Sequence, residues 1–406
     1  MKDSKAYDCL IIGAGPVGLA MIRALQLRGL SACLAGRLPH QSPNSPDLRT
    51  AALFDGSIRL LERLGAWRHL RNDASPISAI RIIDATGHLL RAPEQMFAAT
   101  DLGTPQLGYN VPNPALVEAL RQTIETPAGH AAPSADTQLD VKIEAITIAP
   151  DHVTATLSDG TTCRGRMAIA ADGRGSITRA AAGIAVKTWD HDQAAITAHI
   201  GHALPNGAIS TEIHGKAGPC TVVPLGPHRS SLVWIEQPDT AAEIAGLADA
   251  DFILALEDRL GGLLGPIREV TPRRIFPLSS LIADRFAARR VALIGESGHA
   301  FPPIGAQGLN LGLRDVASLA DELAAAHKAG RDIGSDTVLN AYSESRRADI
   351  MARTYGVDAF NRSLSGRAAG LLRGALLHAT KTSPGIKRFL MERGMQPVGA
   401  WPTMMR

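Results

Sequence analysis

The sequence turns through Gly13-Ala14-Gly15-Pro16-Val17-Gly18 directly after the apolar run Tyr7–Ile12 and directly before a helical pattern, Leu19–Leu27, that stops near Gly29. A buried strand leading through a glycine turn into a helix, with a second buried strand at Ser31–Ala35, commits this stretch to an α/β layer. Each glycine has its own use in such a turn. Gly13 permits the tight bend, Gly15 lets backbone approach a pyrophosphate, and Gly18 lets helix and strand pack closely. The helix entered at Pro16 presents unpaired N–H groups and a partial positive charge at the same point. Dinucleotide binding is the expectation.

The second strand of such a unit ordinarily ends in an Asp or Glu that holds a ribose hydroxyl. Here no acidic residue stands between Asp8 and Asp47; Gly36 occupies the place and Arg37 follows it. An arginine there suits a 2′-phosphate, so on these residues alone an NADP-dependent reductase stays open as an alternative.

Two later segments carry the same kind of signal. Ala170-Ala171-Asp172-Gly173-Arg174-Gly175-Ser176 closes an apolar strand and leads through Thr178 to Arg179. Gly295-Glu296-Ser297-Gly298-His299, continuing as Ala300-Phe301-Pro302-Pro303-Ile304-Gly305-Ala306-Gln307-Gly308-Leu309-Asn310, lies between a buried strand and a long helical pattern. Its glycines and tandem prolines suit a rigid loop under a flat ligand, with a second helix N-terminus aimed at that ligand.

Between these signals the chain alternates in character. Residues 37–50, RLPHQSPNSPDLRT, form a loop that no regular element absorbs, before a helix carrying Ile58, Leu60, Leu61 and Leu64. The pattern from Ile80 to Leu90 predicts a hairpin around Thr86 and Gly87, and Val141–Leu157 predicts two strands parted by Pro150 and Asp151. Residues 194–236 read as an antiparallel meander, a separate sheet on the substrate side, and the chain after residue 307 is mostly helical.

Length and composition bound what this can serve. At 406 residues the chain suits one large unit or two domains sharing an interface. The 42 basic and 39 acidic side chains nearly cancel, which removes the long-range field a nucleic-acid partner would need. Cys9, Cys33, Cys163 and Cys220 lack metal or redox spacing and sit in apolar runs, as reduced core residues of a cytoplasmic protein do. No uncharged apolar stretch of about 20 residues occurs, so no membrane span is expected.

The three segments, in this order and spacing, resemble the flavin-dependent aromatic hydroxylases typified by para-hydroxybenzoate hydroxylase, and most closely their ubiquinone-biosynthesis branch, over almost the whole chain. The resemblance implies a Rossmann-like FAD-binding domain interleaved with a mixed β-sheet substrate domain, followed by a helical C-terminus. It divides the chain into FAD-binding parts at 1–78, 111–182 and 281–345, a substrate-domain hairpin at 79–110, a substrate-domain meander at 183–280 and a helical region at 346–406. It implies that Gly13, Gly15, Pro16 and Gly18 bind the ADP half of FAD, that Asp172 and Gly173 lie near the dinucleotide, and that Gly295 and Glu296 contact the ribityl chain. Arg37, and Arg49 within DLRTAAL, are expected near the dinucleotide, and Pro302, Gly305, Gln307, Gly308, Leu309 and Asn310 around the flavin.

Two departures stand out: Gly36 replaces the ribose carboxylate, and Glu296 replaces a commoner Asp. The resemblance assigns no catalytic side chain, and His299 is expected to be structural. It implies a transient visit by NAD(P)H, a flavin C4a-hydroperoxide formed from O2, and oxygen transfer to the ring of a polyprenylated phenol or another aromatic compound. A hydroxylase of small aromatic compounds and a low-activity FAD-binding scaffold in a biosynthetic complex remain as alternatives. The C-terminal run from Gly366 to Met395 mixes Leu, Ile, Phe and Met with Lys and Arg, which suits peripheral contact with the inner face of a membrane as well as ordinary packing.

Overall fold

The computed structural model describes residues 6–39, 47–86, 93–125, 133, 135–365, 378, 380, 381 and 383–406, with side chains omitted from 360 to 365. Parts of the long loop, the Gly87 end of the expected hairpin and the first part of the expected amphipathic run from Gly366 lie outside the described residues.

The first sheet is built around Ala6–Ile12, which runs parallel to Ala32–Gly36 on one side and to Thr162–Ala170 on the other. Ala135–Leu139 and Val291–Leu293 extend it in parallel, and Ile143–Ile148, Val153–Leu157 and Ala287–Ala288 add antiparallel edges. Cys9, Leu10, Ile11 and Ile12 are all buried, in a run without alternation, because both faces of a parallel sheet are covered. The first helix starts at Pro16, three residues before the apolar pattern suggests, with Gly15 as its N-cap. Proline's fixed φ suits the first helical position and its missing N–H costs nothing there. All four cysteines are buried and none is in a disulfide; Cys33 Sγ lies 3.7 Å from Cys163 Sγ.

The second sheet has nine strands, centred on the long strand Val186–His202. That strand pairs antiparallel with Arg274–Ala283 and with Arg229–Glu236, followed by Pro219–Pro224 and Ile209–His214. Only the last three strands of the expected meander therefore pair in sequence. The chain does not fold back at residues 203–208. There Asn206 Nδ2 donates to the carbonyls of Gly226 and Arg229, carrying the chain across the end of the sheet instead. Ile209–His214 then runs parallel to Ala79–Asp84, whose hairpin partner is Gln95–Ala98, farther along the chain than the sequence pattern indicates.

One face of this sheet is covered by the helices Pro238–Gly246 and Asp249–Leu260, which pack on Ile213, Cys220, Val222 and Trp234. The opposite face meets the loop after the first sheet's last strand: Ala195, Ile235 and Leu278 pack against Ile304. Long helices follow among the described residues, at Gln307–Lys328, Asp336–Ser365 and Pro384–Met395. Among the described residues no helix is long and apolar enough to cross a membrane.

Candidate functional site

All three glycine-bearing signals leave the C-terminal ends of adjacent parallel strands, the edge at which open α/β sheets bind ligands. They meet in direct contact. Gly13 has φ +114°, and a Cβ placed on it would lie 2.3 Å from the Ala171 carbonyl oxygen. A Cβ on Gly18 would lie 2.0 Å from the Gly13 carbonyl oxygen. Gly295 lies against Val17, and Gly312 of the 307–328 helix fits over Gly295 with 3.3 Å from its absent Cβ to the Gly295 Cα. Nothing stands within 4 Å of a Cβ on Gly15 or on Gly308, so backbone is open to a ligand at both helix starts. Neither helix has a side-chain cap, which leaves first-turn N–H groups available to an anion.

The turn after the second signal fits a dinucleotide as well. Asp172 Oδ2 accepts from the Thr178 amide at 3.2 Å and its hydroxyl at 3.0 Å, while Oδ1 is buried without a partner among the described residues. A buried carboxylate oxygen left open in this way is a costly feature unless a ligand donates to it. Gly173 takes φ +76° to complete the turn, and Ser176 Oγ caps the short helix behind it through the Arg179 amide.

Around the third signal the side chains divide into two groups. Glu296 points outward, 60% exposed, 3.4 Å from Arg174. His299 is buried with Nε2 2.6 Å from Asp315 Oδ2, the same oxygen that accepts from the Gly295 amide. Asp315 also accepts from Arg346, which reaches on to Asp349, and Asp349 in turn accepts from Arg314. Burial works to raise the Asp315 carboxyl, but His299 and Arg346 outweigh it and hold it below the usual range. Pro302 is buried at the head of the loop and Leu309 packs against the main core. Asn310 is a clamp: its side chain accepts from the Phe54 amide and Ser57 hydroxyl and donates to the Ala52 and Ala306 carbonyls. With both ends occupied, only its backbone is left for a ligand.

The arginines near the expected dinucleotide path lie apart. Arg37 is exposed at the end of the second strand. Gly36 beside it is packed on the glycine turn, with an absent Cβ only 3.0 Å from Ala14 N and Gly13 Cα. Arg49 makes a two-pronged pair with Asp47 and lies 6.0 Å from the Phe276 ring on the second sheet. Asp47, Arg49, Pro16 and Asn113 share a small cavity at the entry of the first helix, where Asn113 Oδ1 is buried without a partner among the described residues.

An apolar cavity of about 490 Å³ opens beside these segments. Ile304, Gly305 and Gln307 form one wall, Ile80, Ile82, Phe97 and Glu212 of the second sheet another, and Arg353, Leu390, Met391 and Met395 a third. Gln307 accepts from Arg353 Nη1 at 3.1 Å and donates to the Gly394 carbonyl at 3.2 Å. Arg353 also donates to the carbonyls of Gly394 and Gln396, while the Val398 amide donates to Asp349. The segment 394–398 is thereby tied to the loop below the cavity. Sequence reasoning missed Glu212 and Arg353. The alternation of Ser210, Glu212 and His214 along one strand face is a signal for the first; nothing local marks Arg353 as buried.

The family model described as "FAD binding domain" matches residues 6–355. The chain is 34% identical over 401 residues to ubiquinone hydroxylase UbiL of Rhodospirillum rubrum, covering 96% of this chain and 90% of that one. It is 28% identical over 390 residues to 3-demethoxyubiquinol 3-hydroxylase of Escherichia coli, covering 94% and 96%. The crystal structure of p-nitrophenol 4-monooxygenase PnpA from Pseudomonas putida superposes with a TM-score of 0.77 at 20% identity, over 98% of this chain and 100% of that one. An α/β sheet with glycine turns at three adjacent strand ends, a second mixed sheet facing it and a match over most of the chain agree: the protein belongs to the FAD-binding-domain family and is a flavin-dependent monooxygenase.

Proposed function

We propose that the protein hydroxylates the ring of a polyprenylated phenol in ubiquinone biosynthesis, taking electrons from NADH or NADPH and oxygen from O2. The observation that carries this reading is the apolar cavity of about 490 Å³ that opens between the Ile304–Gln307 loop, the second sheet and the C-terminal segment. A phenol ring alone would leave most of that volume unfilled, whereas an isoprenoid tail matches its Ile, Phe, Leu and Met lining. The names of the relatives in Rhodospirillum rubrum and Escherichia coli support the same substrate class.

In this reading the parts 1–78, 111–182 and 281–345 bind FAD, the parts 79–110 and 183–280 face the substrate, and 346–406 closes the cavity. Bound FAD supplies the transfer of two electrons from the nicotinamide to O2 and the delivery of one oxygen atom to the ring. The residues of this chain do the rest. The N–H groups at Gly15 and Gly308 would receive the pyrophosphate and the flavin edge on which negative charge develops, and Asp172 Oδ1 would take a donor from the dinucleotide. Ile304 and the apolar lining exclude water from the ring, and Gln307 fixes the loop against Arg353. A nicotinamide domain is not needed for a donor that visits and leaves.

Access for a tailed substrate is read on the Pro384–Met395 helix, where Ile386 and Phe389 are 41% and 53% exposed beside Lys387, Arg388 and Arg393. Such a face suits the surface of an anionic bilayer. The test is turnover of the purified holoprotein with NADH or NADPH, supplied with one phenol carrying a short isoprenoid tail and the same phenol without it. Hydroxylated product from the tailed phenol alone is expected. Equal or faster product from the bare phenol would assign the protein to small aromatic compounds, and flavin reduction without product from either would favour the scaffold reading.

A further inference from the structure

Glu212 is the one carboxylate among the described residues lining the apolar cavity, and its placement is unusual for a charged group. Its strand, Ile209–His214, alternates: Ile213 packs toward the two outer helices, so Ser210, Glu212 and His214 occupy the face turned to the Ile304 loop. The Glu212 side chain is only 14% exposed. Its Oε2 has a single partner, His214 Nε2 at 3.3 Å, and Oε1 has none among the described residues. The other polar heads on the cavity wall are engaged. Gln307 uses both ends on Gly305, Gly394 and Arg353, Arg353 is held by Gln307 and two carbonyls, and Arg393 lies over the Phe389 ring. A carboxylate in an apolar cavity is stable only when donors reach it, and here one of its oxygens waits for one.

Resting on the substrate class proposed above, we infer that Glu212 receives the phenolic O–H of the substrate and is the base of the hydroxylation, with His214 as the positioning residue behind it. The chemistry asks for such a group. A neutral phenol is a weak carbon nucleophile; its ring carbon becomes strongly nucleophilic as the O–H bond yields its electron pair to the ring. As the carbon–oxygen bond forms and the O–O bond derived from O2 breaks, the phenolic proton moves to Glu212 Oε1 and the ring becomes a dienone. The dienone then loses its ring hydrogen as a proton to solvent and regains aromaticity, while Glu212 returns its proton to the phenol oxygen. The second oxygen atom of O2 leaves as water, with two electrons from NAD(P)H and one proton from solvent completing the balance. Proton transfer by a positioned carboxylate contributes about 10²–10⁴-fold in rate.

The charges around Glu212 come from several elements. Asp84 lies beside His214 on the parallel neighbour strand, Arg259 donates to the carbonyl of Ile213 from behind, and Arg353 and Arg393 face it across the cavity. None of these is bonded to the Glu212 carboxylate, which leaves His214 as its one protein partner among the described residues.

The test uses the holoprotein and two variants, Glu212→Gln and Glu212→Asp, each first checked for FAD content by visible absorption. The first readout needs no turnover: a nitrophenol carrying a short isoprenoid tail is bound to the oxidised protein and its ionisation is followed by absorbance against pH. A carboxylate at the phenol oxygen holds the bound probe in its neutral form. Glu212→Gln is therefore expected to lower the probe's ionisation pH by about one unit or more, and Glu212→Asp to keep most of the wild-type value. The second readout is product formed per O2 consumed with a tailed phenol, expected to fall about 100-fold in Glu212→Gln and to lose its acid-side pH dependence. Unchanged probe ionisation and an unchanged pH profile in Glu212→Gln would overturn the assignment. Probe ionisation that shifts while wild-type protein hydroxylates no tailed phenol would instead uphold the placement of Glu212 and overturn the substrate class.

Discussion

Gly13 has no room for a side chain, because an added Cβ would sit 2.3 Å from a backbone oxygen that itself belongs to the turn before Asp172. Gly13→Ala is expected to part the two turns and yield protein with less than about a tenth of the wild-type FAD, read from visible absorption, at a stability cost of roughly 1–3 kcal/mol. Asp172→Asn tests the open Oδ1 from the other side: the turn bonds to Thr178 have an acceptor still, so folding should hold while FAD affinity falls about 10-fold, measured by fluorescence titration. Gly36 gives a counterintuitive result. Restoring the carboxylate usual at this place by Gly36→Asp is expected to weaken FAD binding, since the new Cβ would press on Gly13 and Ala14 at 3.0 Å. The glycine turn was legible in the sequence because glycine spacing records where backbones touch. The reason for Gly36 was not, since the contact it makes comes from a residue more than twenty positions away.

At the level of elements, the cavity wall rests on a few buried ion pairs. Arg353 is held by Asp349, Gln307 and the carbonyls of the 394–396 segment. Asp349→Ala would leave Arg314 buried without its carboxylate and Arg346 with Asp315 alone, at a cost of roughly 3–5 kcal/mol read as a lowered unfolding midpoint. Phe389→Asp, on the exposed face of the Pro384–Met395 helix, should leave folding unaffected and abolish co-sedimentation with anionic vesicles, if that helix meets a bilayer. The central strands of the first sheet could be read directly, since continuous apolar runs between turn signals admit few alternatives, whereas Ala135–Leu139, with Asp, Thr and Gln, gives no such run. The pairing in the second sheet could not. Val186–His202 joins Arg229–Glu236 because Asn206 anchors a crossover, and a single polar side chain in a loop does not announce which strand it will bind. Arg353 was equally silent, as a basic residue on a helix reads as solvated until its neighbours are known.

Across the whole molecule, acid sensitivity follows from the same network. Asp315 and Asp349 are both held below the ordinary carboxylate range, burial opposing and the neighbouring His299, Arg346 and Arg314 prevailing. Groups with depressed folded-state values add stability above the unfolded carboxylate range and surrender it as pH falls through the folded values. The unfolding midpoint should accordingly be flat through neutrality and drop steeply below about pH 4. The two sheets and the loop between them lie within the residues shared by the family, whereas Leu390, Met391, Met395 and Val398, which close the cavity, lie after residue 355. The shape of the chamber is thus set by a tailpiece hung on a common chassis. On the substrate proposed above, exchanging residues 384–406 for the same stretch of a relative should carry over a preference for tail length while leaving FAD content as it was, so a new specificity here needs only a new last wall.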